Sequence, residues 1–452
     1  MNRQRWRGML VVGVTVAGGA WWYQHSTNAR ARVARAVAET AVQAEFNVRS
    51  ADIAFFEARV AADPQGSIDR LQVGTLYLQR ARERNDYEDY LRAERSARSS
   101  LAIRQGRNGA AYAVLASSLL AQHRFIEARD AARRLVEAEP GVDGYLSLLG
   151  ETCLEAGDYA GARDAFAALS PEGRASLAVA PRLARWAEIR GDTASARRLF
   201  RAALNAVTRT ASIPREQAAW FFLRASDLEL RQGRLARATA ALDGGLQRSP
   251  SDHRLLAAAA RLAAVRHDWR RAIELGDSAI AVSLDPATLG IISDAYAALG
   301  DSAKALEYFE TMEVAVGQQP GTYHRAWSLY LLDHGRSIPA VLEAAQAEIV
   351  GRPDVYGYDL LAWALHKSGH STEARAAIGA ALAQGTQDAM LYYHAGMIER
   401  AAGNVMAARN YLERALRIAP DFDHAAPMVA RRALAEFPLV IAHRAVASDA
   451  GR

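Results

Sequence analysis

A single period runs through most of this 452-residue chain and constrains its fold more than any other feature. In the stretch that begins at Ala389, Tyr392, Ala395, Gly396 and Glu399 stand at positions 4, 7, 8 and 11. Ala408, Leu412 and Ala415 follow at 20, 24 and 27, and Pro420 at 32. The unit that begins 34 residues earlier, at 355, repeats this with Tyr358, Leu361, Ala362, Leu365, Ala374, Ile378 and Ala381. The same frame fits units at 109, 143, 177, 219, 253, 286 and 321, with Ala128, Ala162, Ala196, Ala238, Ala272, Ala305 and Ala340 in the second small-residue slot. Positions 4, 7, 8 and 11 share one face of a helix. Small residues at 8 and 20 let two antiparallel helices approach closely. Gly157-Asp158, Gly191-Asp192 and Gly300-Asp301 end one helix and cap the next. A single unit cannot bury its apolar face, so the units must stack.

This pattern resembles the tetratricopeptide repeat family, whose units read W-x2-L-G-x2-Y, then A-x3-F-x2-A and a late Pro. The resemblance spans about 350 residues. It implies an all-α, right-handed superhelical solenoid of about ten helix-turn-helix repeats, with ligands held on the concave wall. One step departs from the 33–35-residue spacing: 177 to 219 is 42 residues, and residues 208–217 are expected to form an added loop. Residues 67–84 and 87–103, with Asn85-Asp86 between them, read as a degenerate first pair. Residues 24–66 read as a helical connector ending in a half-repeat, 67–424 as the solenoid, and 425–452 as a capping helix and tail. In the cap, Val429 and Leu434 are expected to cover the last repeat.

The N-terminus carries Arg3, Arg5 and Arg7 in a basic segment, residues 1–8, followed by an uncharged stretch over 9–23 that ends Trp21-Trp22-Tyr23. The aromatic exit favours a retained membrane helix, and the short length leaves a cleavable signal peptide as the alternative. The expected location is therefore the inner membrane with the solenoid exported to the periplasm or cell exterior, or secretion after cleavage.

The net charge of +5 could signal nucleic-acid binding, but the basic residues are interleaved with acids and form no stripe. All but Lys304 and Lys367 are Arg, a bias of composition. No nucleic-acid partner is expected. A lone Cys153 excludes an internal disulfide and any four-cysteine metal site, and its apolar helical setting implies a small buried side chain.

No phosphate-binding glycine loop, nucleophile elbow or His-Glu-x-x-His motif occurs. His366 and His370 are four apart, but Gly369 should break the helix between them. No enzyme activity, cofactor, metal or small-molecule substrate is expected. The resemblance instead places ligand contacts at positions 2, 5, 9 and 12 of the first helices. In the last three units these positions supply Arg325, Tyr356, Asp359, Trp363, His366, Tyr393, Met397 and Arg400. Aromatics with Arg suit a peptide or protein partner. A smaller candidate surface is Trp220 with Asp227. The chaperone-tail subclass grips a carboxylate through Lys and Asn that this chain lacks. A similar membrane-anchored assembly factor ends in a four-cysteine knuckle that is also missing. The expected function is a non-catalytic protein-interaction scaffold at the cell envelope. The alternative is an accessory assembly subunit of an envelope enzyme or secretion complex.

Overall fold

A computed structural model describes residues 4–210, 212–318 and 325–437, with side chains from residue 33 onward. Among these residues there are helices and no strand. A long helix, α1 (Gln4–Ala62), leads into ten antiparallel pairs. The first five are α2 (Ser67–Arg84) with α3 (Tyr87–Ile103), α4 (Gly109–Ala121) with α5 (Phe125–Ala138), α6 (Asp143–Glu155) with α7 (Tyr159–Ala167), α8 (Ala180–Ile189) with α9 (Thr193–Arg209), and α10 (Arg215–Arg231) with α11 (Leu235–Arg248). The second five are α12 (His253–Val265) with α13 (Trp269–Ile280), α14 (Pro286–Ala298) with α15 (Ser302–Gly317), α16 (Arg325–Asp333) with α17 (Ile338–Glu348), α18 (Val355–Lys367) with α19 (Ser371–Leu382), and α20 (Ala389–Ala401) with α21 (Val405–Ile418). A single helix, α22 (Ala426–Glu436), closes the array.

The small-residue slots explain the pairing. Ala116, Ala184, Ala260 and Ala362 of the first helices, and Ala128, Ala162, Ala196, Ala238, Ala272, Ala374 and Ala408 of the second, are fully buried. A Cβ on Gly150 would sit 2.6 Å from the Phe166 ring, and one on Gly396 2.6 Å from Leu412, so these backbones lie directly under a partner side chain. The turns behave as the Gly-Asp signature requires. Gly157, Gly191 and Gly300 adopt positive φ, while Asp158, Asp192 and Asp301 accept hydrogen bonds from the backbone N–H groups of Gly161, Ser195 and Lys304.

Three local expectations are corrected. Residues 208–217 are not an inserted loop. The extra length lengthens α9 and α10 to 17 residues each, because Val207, Ala218 and Phe221 continue the buried face. Ala340 is exposed and Ala305 only half-buried. Ser337 takes a left-handed backbone at the start of α17, and Val341 fills the slot instead. In α22 the covering side chains are Ala430 and Ala433, with Phe437 just beyond the helix and Leu434 packed at the edge, whereas Val429 is 41% exposed.

The solenoid also closes on itself. The turn of the third pair meets the loop before the ninth, where the Val355 N–H donates to the Tyr159 hydroxyl at 2.8 Å. The turn of the fourth pair meets the loop before the tenth, where the Thr386 hydroxyl donates to the Ile189 carbonyl at 2.6 Å. The fifth meets the loop before α22, bringing Gly233 against Ala419. In the same register, Asn85 in the first turn donates to Ser283 before the seventh pair at 3.0 Å. About six pairs therefore make one turn of the superhelix, and each turn rests on the next. Ile189, Val355 and Leu391 form a small apolar core at this seam.

No helix among the described residues is long and apolar enough to cross a membrane. The anchor expected over residues 9–23, and the tail over 438–452, lie outside the residues whose side chains are described. The expected boundaries after residues 8 and 23 fall within α1.

Candidate functional site

Closure turns the concave wall into a channel. Helices α8, α10, α12, α14, α16, α18, α20 and α22 surround a cavity of about 1090 Å³. Ala287, Ala298 and Met428 are exposed on its lining and mark where solvent enters.

One side of the channel is cationic. Arg185 on α8, Arg224 and Arg231 on α10, and Arg261 on α12 line it. The first three converge on Glu188, at 3.4, 3.7 and 2.5 Å. Burial pushes this carboxyl up, but Arg231, then Arg185 and Arg224, outweigh it and hold it down at about 2. Burial lowers the proton affinity of Arg224, and Glu188 offsets this only in part. Direct packing between α8 and α10 is weaker than between other neighbouring wall helices, and this ion cluster bridges them.

The other side is aromatic and acidic, with every carboxylate engaged. Asp359 is fully buried between Arg325 and the His394 ring, whose Nδ1 lies 2.7 Å away, and these partners bring its carboxyl below the usual range against the effect of burial. The Tyr356 ring lies between two guanidinium groups, Arg185 at 5.2 Å and Arg325 at 5.3 Å from its centroid. Its hydroxyl donates to Asp388 at 3.3 Å. Trp363 is 2% exposed; its indole N–H donates to Asp333, and His394 stacks on it at 4.2 Å. His366 stacks on the same indole, and burial, then Lys367 and His394, lower it to about 4, so it presents a neutral ring to the channel near pH 7. A third cluster ties the loop before α22 to α14 and α16. Asp294 on α14 binds His334 at 2.9 Å and His424 at 3.1 Å, and Trp269 meets His424 edge-on.

Seven of the eight candidate residues, Arg325, Tyr356, Asp359, Trp363, His366, Tyr393 and Met397, come together on this wall. Their expected exposure is corrected. Asp359, Trp363 and Tyr393 are buried, because wall helices pack side by side and the rings bridge them; Met397 and His366 keep accessible surface. Arg400 lies outside the channel, exposed and paired with Glu436 of α22 at 2.6 Å. The cationic wall was not expected, yet Arg185 and Arg261 occupy position 9 of their units, the slot that Trp363 holds in its own. Trp220 packs edge-on against Phe221, and Asp227 lies 3.5 Å from Arg224 and lines an adjoining cavity of about 340 Å³. His370 falls outside α18, at the N-cap of α19. Cys153 is buried and its thiol is pushed up to about 12, chiefly by burial, so it is unreactive near neutral pH.

These features define a helical-repeat solenoid that offers a lined channel. Residues 113–176, 183–253 and 360–421 match the tetratricopeptide repeat family model. Over those stretches the chain is similar to tetratricopeptide repeats, which generally serve as non-catalytic platforms for protein–protein interaction. No curated protein matches it. Among solved structures it is similar to a chain of the APC/C hetero-tetramer Cut9-Hcn1, at 12% identity, covering 89% of this chain and 96% of that one, with a TM-score of 0.32. A tetratricopeptide repeat protein from Parabacteroides merdae is 17% identical over 57% of this chain and 96% of its own, with a TM-score of 0.33. The human IFIT1 dimer with m7Gppp-AAAA is 15% identical over 78% of this chain and 72% of its own, with a TM-score of 0.36.

Proposed function

We propose that the chain is a non-catalytic scaffold at the cell envelope that holds a peptide or protein segment in its channel. The observation that carries this reading is the channel itself, lined by Arg185, Arg224, Arg231 and Arg261 together with Met390, Met397, Leu329, Ile291 and the aromatic rings. A segment with an acidic group and apolar side chains meets both walls, and desolvated Arg and aromatic pockets give large binding energies per residue. The basic N-terminus and residues 9–23 support a membrane-held chain with its solenoid exported.

The test is capture from solubilised envelope by the full chain and by Ala287→Trp. Ala287 is exposed on the channel lining, so the indole fills space without disturbing the core. Loss of a partner that the wild type captures, with helical content unchanged, supports the reading; equal capture by both removes the channel as the binding site. Sequencing the N-terminus of the envelope-bound chain separates a retained anchor from a cleaved signal.

A further inference from the structure

The described part of α1 has two unlike faces. One packs on the solenoid: Ile53 is buried, Arg49 pairs with Glu83, Glu57 accepts from Tyr77, and Arg84 lies over Phe46. The other has no cover among the described residues. Val37, Ala44, Val48, Ala51 and Phe55 run along it, and Val37, Val48 and Phe55 are 63%, 61% and 57% exposed. With half-buried Ala41 at the edge and Ala58 and Ala62 beyond, the stripe advances by alternating steps of three and four, an unbroken heptad from Val37 to Ala62.

We infer that this face pairs with α1 of a second copy of the chain, in a parallel, in-register two-stranded coiled coil. A helix that only covers a core follows a 3.6-residue period. A strict 3.5-residue repeat instead keeps one stripe facing a partner helix that winds around it. The flanks agree with self-pairing. Thr40, Asn47, Ala54 and Ala61, on one side of the stripe, carry no charge. On the other side are Glu45, Asp52 and Arg59, and two of these are already paired within the chain, Glu45 with Arg215 at 3.3 Å and Arg59 with Asp69 at 3.0 Å. Parallel pairing sets the uncharged flank against the charged one, so no like charges meet. Antiparallel pairing brings the two charged flanks together, and the register that matches Glu45 to Arg59 sets Asp52 against its own copy.

The stripe from 37 to 62 is ~40 Å long at 1.5 Å per residue, and a helix is ~10 Å wide, so two such faces bury roughly 800 Å², the size of a weak, reversible interface. Each layer then pairs a residue with itself, Val48 with Val48 and Phe55 with Phe55, while Ala44 and Ala51 let the backbones approach. The assembly presents two channels on one two-stranded stalk.

The full chain in mild detergent is expected to sediment as a dimer at ~10 µM, and Val37→Glu with Val48→Glu to weaken self-association by ~100-fold or more, because pairing would bury unpaired carboxylates. Both sites are exposed in the single chain, so the circular dichroism spectrum should not change. Under mild oxidation Ala51→Cys should form a disulfide-linked dimer, and Gln43→Cys, exposed on another face of α1, should not. A wild-type monomer at that concentration overturns the inference. So does a dimer indifferent to the double substitution, or equal cross-linking from both cysteine variants.

Discussion

Replacing Glu188 by Gln keeps the side chain's volume and removes the charge that Arg185, Arg224 and Arg231 share. The carboxyl sits at about 2 against an ordinary 4.5. At about 1.4 kcal/mol per tenfold change in proton affinity, the fold stabilises its anion by ~3 kcal/mol. Breaking a buried ion cluster from one side costs ~3–5 kcal/mol, so the two routes agree. Because the folded value is depressed, this stabilisation is present above ~4.5 and disappears as the pH falls toward 2. Hydrogen exchange at pH 7 should show α8 to α11 opening ~100-fold more often in Glu188→Gln, with the ends of the array little changed. Urea unfolding between pH 7 and 3 should then be less acid-sensitive in the variant than in the wild type. Unchanged protection in α8 and α10, or identical acid sensitivity, would refute the claim that Glu188 holds the two wall helices together.

The turns allow a paired comparison. Gly191 and Gly300 both have positive φ, but a Cβ on Gly191 would lie 2.3 Å from the Gly385 carbonyl oxygen, and one on Gly300 meets nothing within 4 Å. Gly300→Ala should cost ~1 kcal/mol of backbone strain. Gly191→Ala should cost more and loosen residues 385–388 in hydrogen exchange; equal melting losses would argue against the closure contact. The Asp294 cluster should respond to pH. Asp294 and the backbone of Tyr330 raise His334 against burial, and Asp294 and Asp423 raise His424 against a larger burial effect. Their contribution is present below ~6.5 and is lost as pH rises through the raised values. Protection of residues 421–430 should therefore fall as the pH rises above ~6.5 in the wild type, relative to His424→Gln. A pH response shared by both would remove His424 from the latch.

Much of the array was legible because its contacts are local and periodic. First helices expected at 109, 143, 253, 286, 355 and 389 begin at those residues, and the pair at 67–84 and 87–103 has those bounds. The fourth unit departs from the frame because Asp143 binds the backbone and hydroxyl of Ser170, and a short 3-10 turn over Gly173–Ala175 delays α8 to Ala180. Of the site, the position rule found the aromatic wall and would have found Arg185 and Arg261 had it been applied to their units. It misjudged burial, since a slot number does not report how closely neighbouring first helices pack. Closure was not legible. It rests on contacts such as the Thr386 hydroxyl to the Ile189 carbonyl, 197 positions apart, and on the small core of Ile189, Val355 and Leu391, neither of which a repeat pattern encodes.

That closure also sets an order of events during synthesis. A solenoid held only by neighbours can fold as it leaves the ribosome, each unit settling on the one before it. Here the turns at Tyr159 and Ile189 wait for Val355 and Thr386, nearly 200 residues later. At ~5–20 residues per second that is an interval of roughly 10–40 s. Throughout it, Ile189 and the backbone around Gly157 and Gly191 remain uncovered, an opening through which a chaperone could engage the nascent chain before its final repeats arrive.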